Sequence, residues 1–179
     1  MCNIFLEKPE QKHKREAILF VNEFKKNKEH INGSGYLDKY YNDYNSWLKL
    51  IDKYEHKQTC PKNISPGYTY FLLKKTSKKI IGIINIRTAC KNKYVYLHGG
   101  NIGYSIRPTE RKKGYGKKIL KLGLDKCKKI GMNSVTIIAS EDNYASRKII
   151  EFNNGQLINI IPNLEKKGHK DLRYRITLK

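Results

Sequence analysis

The sequence lacks the features of a membrane protein and of a disulfide-stabilised secreted domain. Its longest apolar stretches, Ala17–Val21 and Ile80–Ile84, fall far short of the ~20 residues that a membrane span needs. Its 4 cysteines form no CxxC pair and no Cys/His spacing typical of a metal site. The first residues resemble no signal peptide and are expected to lead into a charged helix. We therefore expect a cytoplasmic protein with reduced thiols, no metal and no membrane contact.

Acidic residues are scarce. The 179 residues include 16 Asp and Glu against 37 Lys and Arg, which gives a formal net charge of +21. Only seven of the basic residues are arginine, the better fork for phosphates and base edges, and the lysines form no long block. We interpret the excess as a solvated, lysine-rich surface; the alternative is a field that attracts an anionic partner. Under the first interpretation, nucleic acid binds only weakly and nonspecifically.

Internal repeats and low-complexity linkers are absent too, and the length is typical of one domain. Hydrophobic residues make up 39% of the chain, which is enough to form a core without a metal or a disulfide. We therefore expect one domain over residues 1–179. Within it, 1–66 holds two helices, 67–161 holds the sheet and further helices, and 162–179 holds a closing strand.

The spacing of apolar residues divides the chain into helices and strands. Helical spacing predicts helices over 10–28, 38–54 and 114–130, and Asp142 or Asn143 is placed to cap a helix ending near Phe152. β-Branched and aromatic runs predict strands over 68–73, 80–87, 101–107, 134–139, 157–161 and 172–178. This order of elements predicts an α/β domain around a mixed, mostly antiparallel sheet.

A basic turn between the third strand and the third helix is the most informative segment. Arg111, Lys112 and Lys117 supply positive charge, and Gly114 and Gly116 let the main chain approach a ligand closely. The start of the helix adds N–H donors and the positive end of a dipole. Neither the dinucleotide fingerprint nor the P-loop motif is present. The turn predicts a site for the pyrophosphate of another cofactor; the alternative is an ordinary connection with chance lysines.

From Gly100 to about Asn159 the sequence resembles the GNAT superfamily, the Gcn5-related N-acetyltransferases, and within it a bacterial branch of predicted acetyltransferases. The resemblance rests on the strand at 101–108, on Arg-x-x-Gly-x-Gly at 111–116, and on Asn143-x-x-Ser146 at a helix start. It implies a single α/β domain with a splayed pair of central strands and helices on both faces. It also implies acetyl transfer from acetyl-CoA to an amine.

The resemblance implies roles for individual residues. The backbone at Ile106 would pair with the pantetheine arm of coenzyme A, as an added strand does. The segment Arg111–Lys117 would wrap the pyrophosphate with main-chain N–H groups, and Asn143 and Ser146 would face the pantetheine arm. The residues expected to bind acetyl-CoA are therefore Ile106, Arg111, Lys112, Lys113, Gly114, Tyr115, Gly116, Lys117, Asn143 and Ser146.

Two positions depart from the family pattern. Relatives often carry a glutamate base where this chain has Asn101 and a tyrosine acid where it has Ile150, and neither side chain here can move a proton. The candidate catalytic residues are therefore His98, which titrates near neutrality, and Asn101, which would position the acceptor.

Other candidates have structural alternatives. Glu141 is a possible base or a helix-capping carboxylate, and Tyr104 and Tyr115 are possible acids or packing residues. The pair Glu29–His30 stands at a helix end, near where this family binds the acceptor.

The function expected from the resemblance is that of an acetyl-CoA-dependent N-acetyltransferase. An amine of a small molecule or peptide would attack the thioester directly, and a backbone N–H would stabilise the oxyanion. The alternative is a catalytically weak CoA-binding or basic RNA-docking module, such as one that docks on the ribosome. The basic turn favours the enzyme, because a docking module needs no pyrophosphate site. A monomer or a homodimer is expected.

Overall fold

The computed structural model describes residues 4–89 and 98–178, and within them the chain forms five α-helices and seven β-strands. In chain order they are β1 (Ile4–Glu7), α1 (Lys14–Lys26), α2 (Leu37–Tyr40), α3 (Tyr44–Glu55), β2 (Gly67–Lys74), β3 (Ile80–Arg87), β4 (Ile102–Ile106), α4 (Tyr115–Lys129), β5 (Ser134–Ser140), α5 (Tyr144–Phe152), β6 (Gln156–Pro162) and β7 (Lys170–Thr177). None of the helices in these ranges has the length and apolar character that a bilayer crossing requires.

The strands pair into two antiparallel sheets with the orders β1-β2-β3-β4 and β5-β7-β6. The helix α4 connects β4 to β5, which lie at an edge of each sheet. The two strands meet where the N–H of Asn101 donates to the carbonyl of Thr136 at 2.7 Å. Beyond this point, the ladders between the described residues join β4 to β3 and β5 to β7. The central strands therefore diverge and leave a gap between the sheets.

Helices cover both faces of the first sheet. The helix α4 packs with Leu72, Ile84 and Ile86 on one face, while α1 and α3 pack with Phe71 and Ile83 on the other. Because both faces are covered, β2 and β3 are apolar along most of their length instead of alternating with polar residues. The predicted α/β class, with splayed central strands and helices on both faces, is confirmed.

Two predictions for the N-terminal part are wrong. Ile4–Glu7 forms a strand rather than leading into a helix, because it pairs with β2 and places Leu6 opposite Leu72. A strand of 4 residues is too short to show its own periodicity. The helix predicted over 38–54 is two helices, since α2 ends at Tyr40 and the side chain of Asp43 caps α3.

The cysteines that the structure describes are buried. These are Cys60 and Cys127, and burial raises the pKa of the Cys127 thiol to about 12. Cys2 and Cys90 lie outside the described residues.

Candidate active site

The strand β4 directs half of its backbone groups into the gap between the sheets. The N–H of Arg107 donates to the carbonyl of Ile81 in β3 at 2.7 Å, which places the odd-numbered residues of β4 in hydrogen-bonded pairs with β3. Since the bonding direction alternates along a strand, the N–H and C=O groups of Ile102 and Tyr104 and the N–H of Ile106 face the gap. The carbonyl of Ile106 accepts from Nε of Arg111 at 3.2 Å. An extended ligand in the gap can therefore pair with β4 as a further strand would.

Asn101 joins the two sheets at the point where they diverge. Its Oδ1 accepts the N–H of Thr136 in β5 at 2.8 Å, and its Nδ2 donates to the carbonyl of Arg87 in β3 at 3.0 Å. A glutamate or aspartate could not make the second bond near neutral pH, because a carboxylate has no donor. Both functions of the side chain are thus used inside the fold. A further role for Asn101 in positioning the acceptor stays a prediction.

The start of α5 is linked to β4 across the gap. The Oδ1 of Asn143 accepts the N–H of Ser146 at 3.0 Å and caps the helix. The hydroxyl groups of Ser146 and Tyr104 lie 3.2 Å apart. Burial raises the pKa of Tyr104 to about 12, although the contact with Ser146 acts in the opposite direction, so the phenol stays protonated near neutral pH. The structure therefore brings Asn143 and Ser146 together with Tyr104, a residue that the sequence offered only as an alternative.

The basic turn, residues 111–117, leads from β4 into α4. Lys112 and Gly114 have φ angles of 59° and 78°, which turn the chain over the start of the helix. Gly114 is the N-cap residue, and no side chain of the described residues caps α4. The N–H groups at an uncapped helix start are available to an external anion. A Cβ at Gly114 would meet nothing within 4 Å among the described residues, so the space beside it is open.

Acidic residues of α1 and of the segment after it bind the arginines around the basic turn. Arg107 is 4% exposed and donates to Glu23 at 2.6 Å and to Glu16 at 2.9 Å. Arg111 donates to Glu29 through both terminal nitrogens, one of them at 2.9 Å. The hydrogen bond from Arg111 lowers the pKa of Glu29. The charge that Arg111 was expected to offer to a phosphate is therefore shared with a carboxylate.

Glu110, which directly precedes the basic turn, binds one lysine of the turn and two lysines outside it. Its carboxylate is 4% exposed and accepts hydrogen bonds from Lys79 at 2.8 Å, Lys113 at 3.1 Å and Lys74 at 3.3 Å. Burial alone would raise the pKa of Glu110, but the bonds from the three lysines lower it to about 2. Lys113 thus faces a carboxylate of its own turn, while Lys112 is exposed.

Gly116 serves helix packing. A Cβ at this position would collide with the side chain of Ile149 in α5, so the glycine lets α4 and α5 approach closely. A larger residue would disturb this packing whether or not a ligand binds. Lys117, the next residue, lies 3.8 Å above the ring of the exposed Phe152.

A polar cleft lies on the face of the first sheet that carries α1 and α3. This N-terminal cleft has a volume of about 430 Å³. Its lining includes one carboxylate, that of Asp38, which accepts from the hydroxyl of Ser34 at 2.6 Å. His30, Lys39 and Arg87 supply its basic groups. The pair Glu29–His30 is thus divided: Glu29 binds the basic turn and His30 lines the cleft.

The candidates for proton transfer lie apart from one another. His98 is half-buried and directly precedes Gly99 and Gly100, whose carbonyls accept from the guanidinium of Arg87 at 2.6 and 2.8 Å. Glu141 accepts the N–H of Lys170, and Ile150 and Tyr115 are buried in the core. Within the described ranges, no group of three His, Cys, Asp or Glu residues is placed to hold a metal ion.

A family model described as an acetyltransferase (GNAT) domain matches residues 4–154. The chain belongs to the GNAT acetyltransferase family. The match includes β4, the basic turn and the start of α5, and so covers the gap between the sheets. A comparison with curated protein sequences finds no match.

Solved GNAT acetyltransferases share this fold. RimJ from Mycobacterium smegmatis, in complex with CoA-disulfide, superposes with a TM-score of 0.72 at 13% identity, covering 97% of this chain and 81% of that one. The microcin C7 self-immunity acetyltransferase MccE, in complex with acetyl-CoA and AMP, gives 0.68 at 18% identity, with coverages of 97% and 92%. Mutant forms of the spermidine/spermine N-acetyltransferase SpeG from Vibrio cholerae give 0.66 at 14% identity, with coverages of 98% and 94%.

Proposed function

We propose that this protein is an acetyl-CoA-dependent N-acetyltransferase that transfers the acetyl group to an amine by direct attack. The observation that carries the proposal is the uncapped start of α4, which follows a strand that pairs with β3 along one edge and faces the gap with the other. A helix start binds phosphate, and a strand edge binds the amide-containing pantetheine arm. Coenzyme A has both groups, joined in one chain.

The described residues fit this donor. The N–H groups at the start of α4 and the exposed Lys112 and Lys117 would hold the pyrophosphate, with Gly114 leaving room for close approach. The groups of β4 that face the gap, at Ile106 and its neighbours, would pair with the pantetheine arm. Asn143 and Ser146 would line the other wall. Bound acetyl-CoA supplies an acyl group that is already activated as a thioester.

The chain's own residues would then orient the reaction and stabilise charge. A backbone N–H of β4 that faces the gap, at Ile102 or Tyr104, can donate to the oxyanion as the amine attacks. The hydroxyl of Tyr104 stays protonated and lies in the same gap. It can therefore donate a hydrogen bond to the thiolate as that group leaves.

Catalysis without the family's glutamate would depend on positioning. Holding the amine and the thioester in attack geometry contributes ~7–11 kcal/mol. A general base usually adds about 10²–10⁴-fold, or ~3–5 kcal/mol. The side chain of Asn101 is an amide, which cannot act as a base, and both of its functions are used within the fold. Most of the acceleration would therefore come from positioning. The acceptor amine would lose its proton to water.

The N-terminal cleft would receive the acceptor. A polyamine carries several positive charges and needs several carboxylates, but among the described lining residues only Asp38 has one. Lys39 and Arg87 add positive potential. We therefore infer a small molecule or peptide with a single amine, unlike the spermidine and spermine of the SpeG name.

Calorimetry with coenzyme A and an assay of thiol release test the proposal. We expect coenzyme A to bind with one site per chain, and acetyl-CoA to release free thiol when an acceptable amine is added. Amino acids, amino-acid amides, short peptides and spermidine form a suitable panel, with spermidine expected to be among the poorest. Binding without thiol release from any amine would favour a CoA-binding module that has lost catalysis, and no binding would overturn the proposal.

A further inference from the structure

The contact between Arg111 and Glu29 joins the basic turn to a distant part of the chain. The guanidinium binds both oxygens of the carboxylate, its Nε also donates to the carbonyl of Ile106 at 3.2 Å, and its centre lies 5.5 Å above the ring of Phe24. These contacts engage its Nε and both terminal nitrogens, and they place the guanidinium against the ring of Phe24. Paired nitrogen–oxygen contacts of this kind fix direction as well as distance. Arg111 is therefore held toward α1 and not toward the start of α4.

The segment that follows Glu29 is fastened to β4 at two further points. The hydroxyl of Ser105 donates to the carbonyl of Asn32 at 2.9 Å. At Gly33 the two backbones touch, because a Cβ there would collide with the carbonyl of Gly103. The segment from Glu29 to Gly33 thus runs along β4, with the bond to Arg111 at one end.

The same segment forms a wall of the N-terminal cleft. His30, Asn32 and Gly33 all line it, and the wall continues to Gly35 and Tyr36. The position of this wall therefore depends on the contacts that fasten it to β4 and to the basic turn. Of these, the ion pair is the contact that reaches the proposed pyrophosphate site.

We propose that Glu29 is a positioning residue that uses Arg111 to hold this wall of the N-terminal cleft in place, and that the side chain of Arg111 does not bind the phosphates. The assignment of the turn to the donor and of the cleft to the acceptor rests on the proposed function. The claim that Glu29 holds residues 30–36 in place does not. The turn keeps positive charge for a phosphate without the Arg111 side chain, because Lys112 and Lys117 remain beside the start of α4. An arginine suits the link better than a lysine, whose ammonium has no paired geometry.

The pair is too exposed to be explained as a source of stability. The side chains of Arg111 and Glu29 are 41% and 37% exposed, and exposed pairs contribute little to the free energy of unfolding. A role in orientation therefore predicts local effects without a large loss of global stability.

Hydrogen exchange and calorimetry on the full chain separate the two roles. The variants are Glu29→Gln, Arg111→Gln and the double variant. Glu165→Gln, at an exposed position, is the control for Glu29→Gln because it makes the same change in charge. We expect faster amide exchange over residues 30–36 in both single variants and no further increase in the double variant. The control should match the wild type. Coenzyme A should bind Arg111→Gln within about fivefold of its wild-type affinity, the range expected for an exposed charge.

Two results would overturn the proposal. One is unchanged exchange over residues 30–36 in Glu29→Gln. The other is a loss of more than about tenfold in affinity for coenzyme A in Arg111→Gln but not in Glu29→Gln, which would make Arg111 a phosphate ligand. Failure of the wild type to bind coenzyme A would instead contradict the proposed function. It would leave the exchange result to decide the role of Glu29.

Discussion

The basic turn and the N-terminal cleft are built in opposite ways. The turn is a run of consecutive residues, 111–117, whose backbone conformation and helix start create its binding groups. The cleft is assembled from the segment after α1, from α3, from the loop before β2 and from two strands. A site made by consecutive residues can be found from local sequence, whereas a site made by several separated segments cannot. This difference explains why the local sequence predicts the class of donor but does not predict the acceptor.

The two regions also differ in how they are held. The turn is fixed by charged contacts of Arg107 and Glu110, both 4% exposed. The cleft depends on the fastening of a short loop to β4 through Ser105, Gly33 and the pair Arg111–Glu29. If the turn binds the donor and the cleft the acceptor, as proposed, a wall carried by a loop would allow the acceptor to vary without changing donor binding.

The largest effect is expected from replacing the residue that joins the two sheets. Asn101→Ala leaves the N–H of Thr136 and the carbonyl of Arg87 without their side-chain partners. We expect a loss of ~2–6 kcal/mol in unfolding free energy, since each of the two unsatisfied groups costs ~1–3 kcal/mol. Denaturant titration measures the loss. The exposed Asn133→Ala is the control, expected to change stability by less than ~0.5 kcal/mol, and equal stability of the two variants would contradict the role of Asn101.

The next largest effect concerns the open space beside Gly114. Gly114→Ala adds a methyl group where nothing lies within 4 Å among the described residues, at φ 78°. Calorimetry should show an affinity for coenzyme A at least about tenfold weaker, from crowding of the helix start. Gly131→Ala is a matched control at φ 80°, again with nothing within 4 Å, at the other end of α4. Both variants should lose ~1–2 kcal/mol of stability from backbone strain, and an equal effect on binding would refute the assignment.

A smaller effect should appear in acid. The pKa of Glu110 is lowered from 4.5 to about 2 in the folded state, so the folded chain binds the proton more weakly than the unfolded chain. The stabilisation from Glu110 is therefore fully present above about pH 4.5 and is lost as the pH falls toward 2. Urea unfolding at several pH values should show this slope, and it should be shallower in Glu110→Gln. An unchanged slope would mean that its lysine partners do not hold the carboxylate charged.

The smallest expected effect is on the pH profile of activity. If the acceptor amine loses its proton to water, kcat/KM should rise toward the pKa of that amine, and His98→Ala should leave the midpoint unchanged. Two acceptors with different amine pKa values should then give two different midpoints. A plateau set near the ordinary histidine pKa of ~6.5, lost in His98→Ala, would identify that histidine as the base instead.

Local sequence was sufficient for the elements that form the donor site. The strand that becomes β4, the helix α4 and the cap at Asn143 all follow from apolar spacing, turn residues and capping chemistry within a few residues. The positive φ at Gly114 is likewise a property that glycine suits by itself. The resemblance to the GNAT family depends on the same residues, because a helix start that binds phosphate is made by neighbours in the chain.

Only the tertiary structure decided which charged side chains form ion pairs with each other and where the two sheets diverge. Arg107 meets Glu23 and Glu16 across 84 and 91 residues, and no spacing rule predicts such partners. Gly116 lies against the side chain of Ile149 in α5, a contact that its own sequence neighbourhood does not predict; its role in binding acetyl-CoA stays a prediction. In the sequence, Asn101 is notable only for replacing the family's glutamate base. In the structure, its side chain forms hydrogen bonds with β3 and β5, two strands that are far apart in sequence. Hydrogen bonds, ion pairs and packing act over a few ångströms of space, so they follow the fold rather than the order of residues.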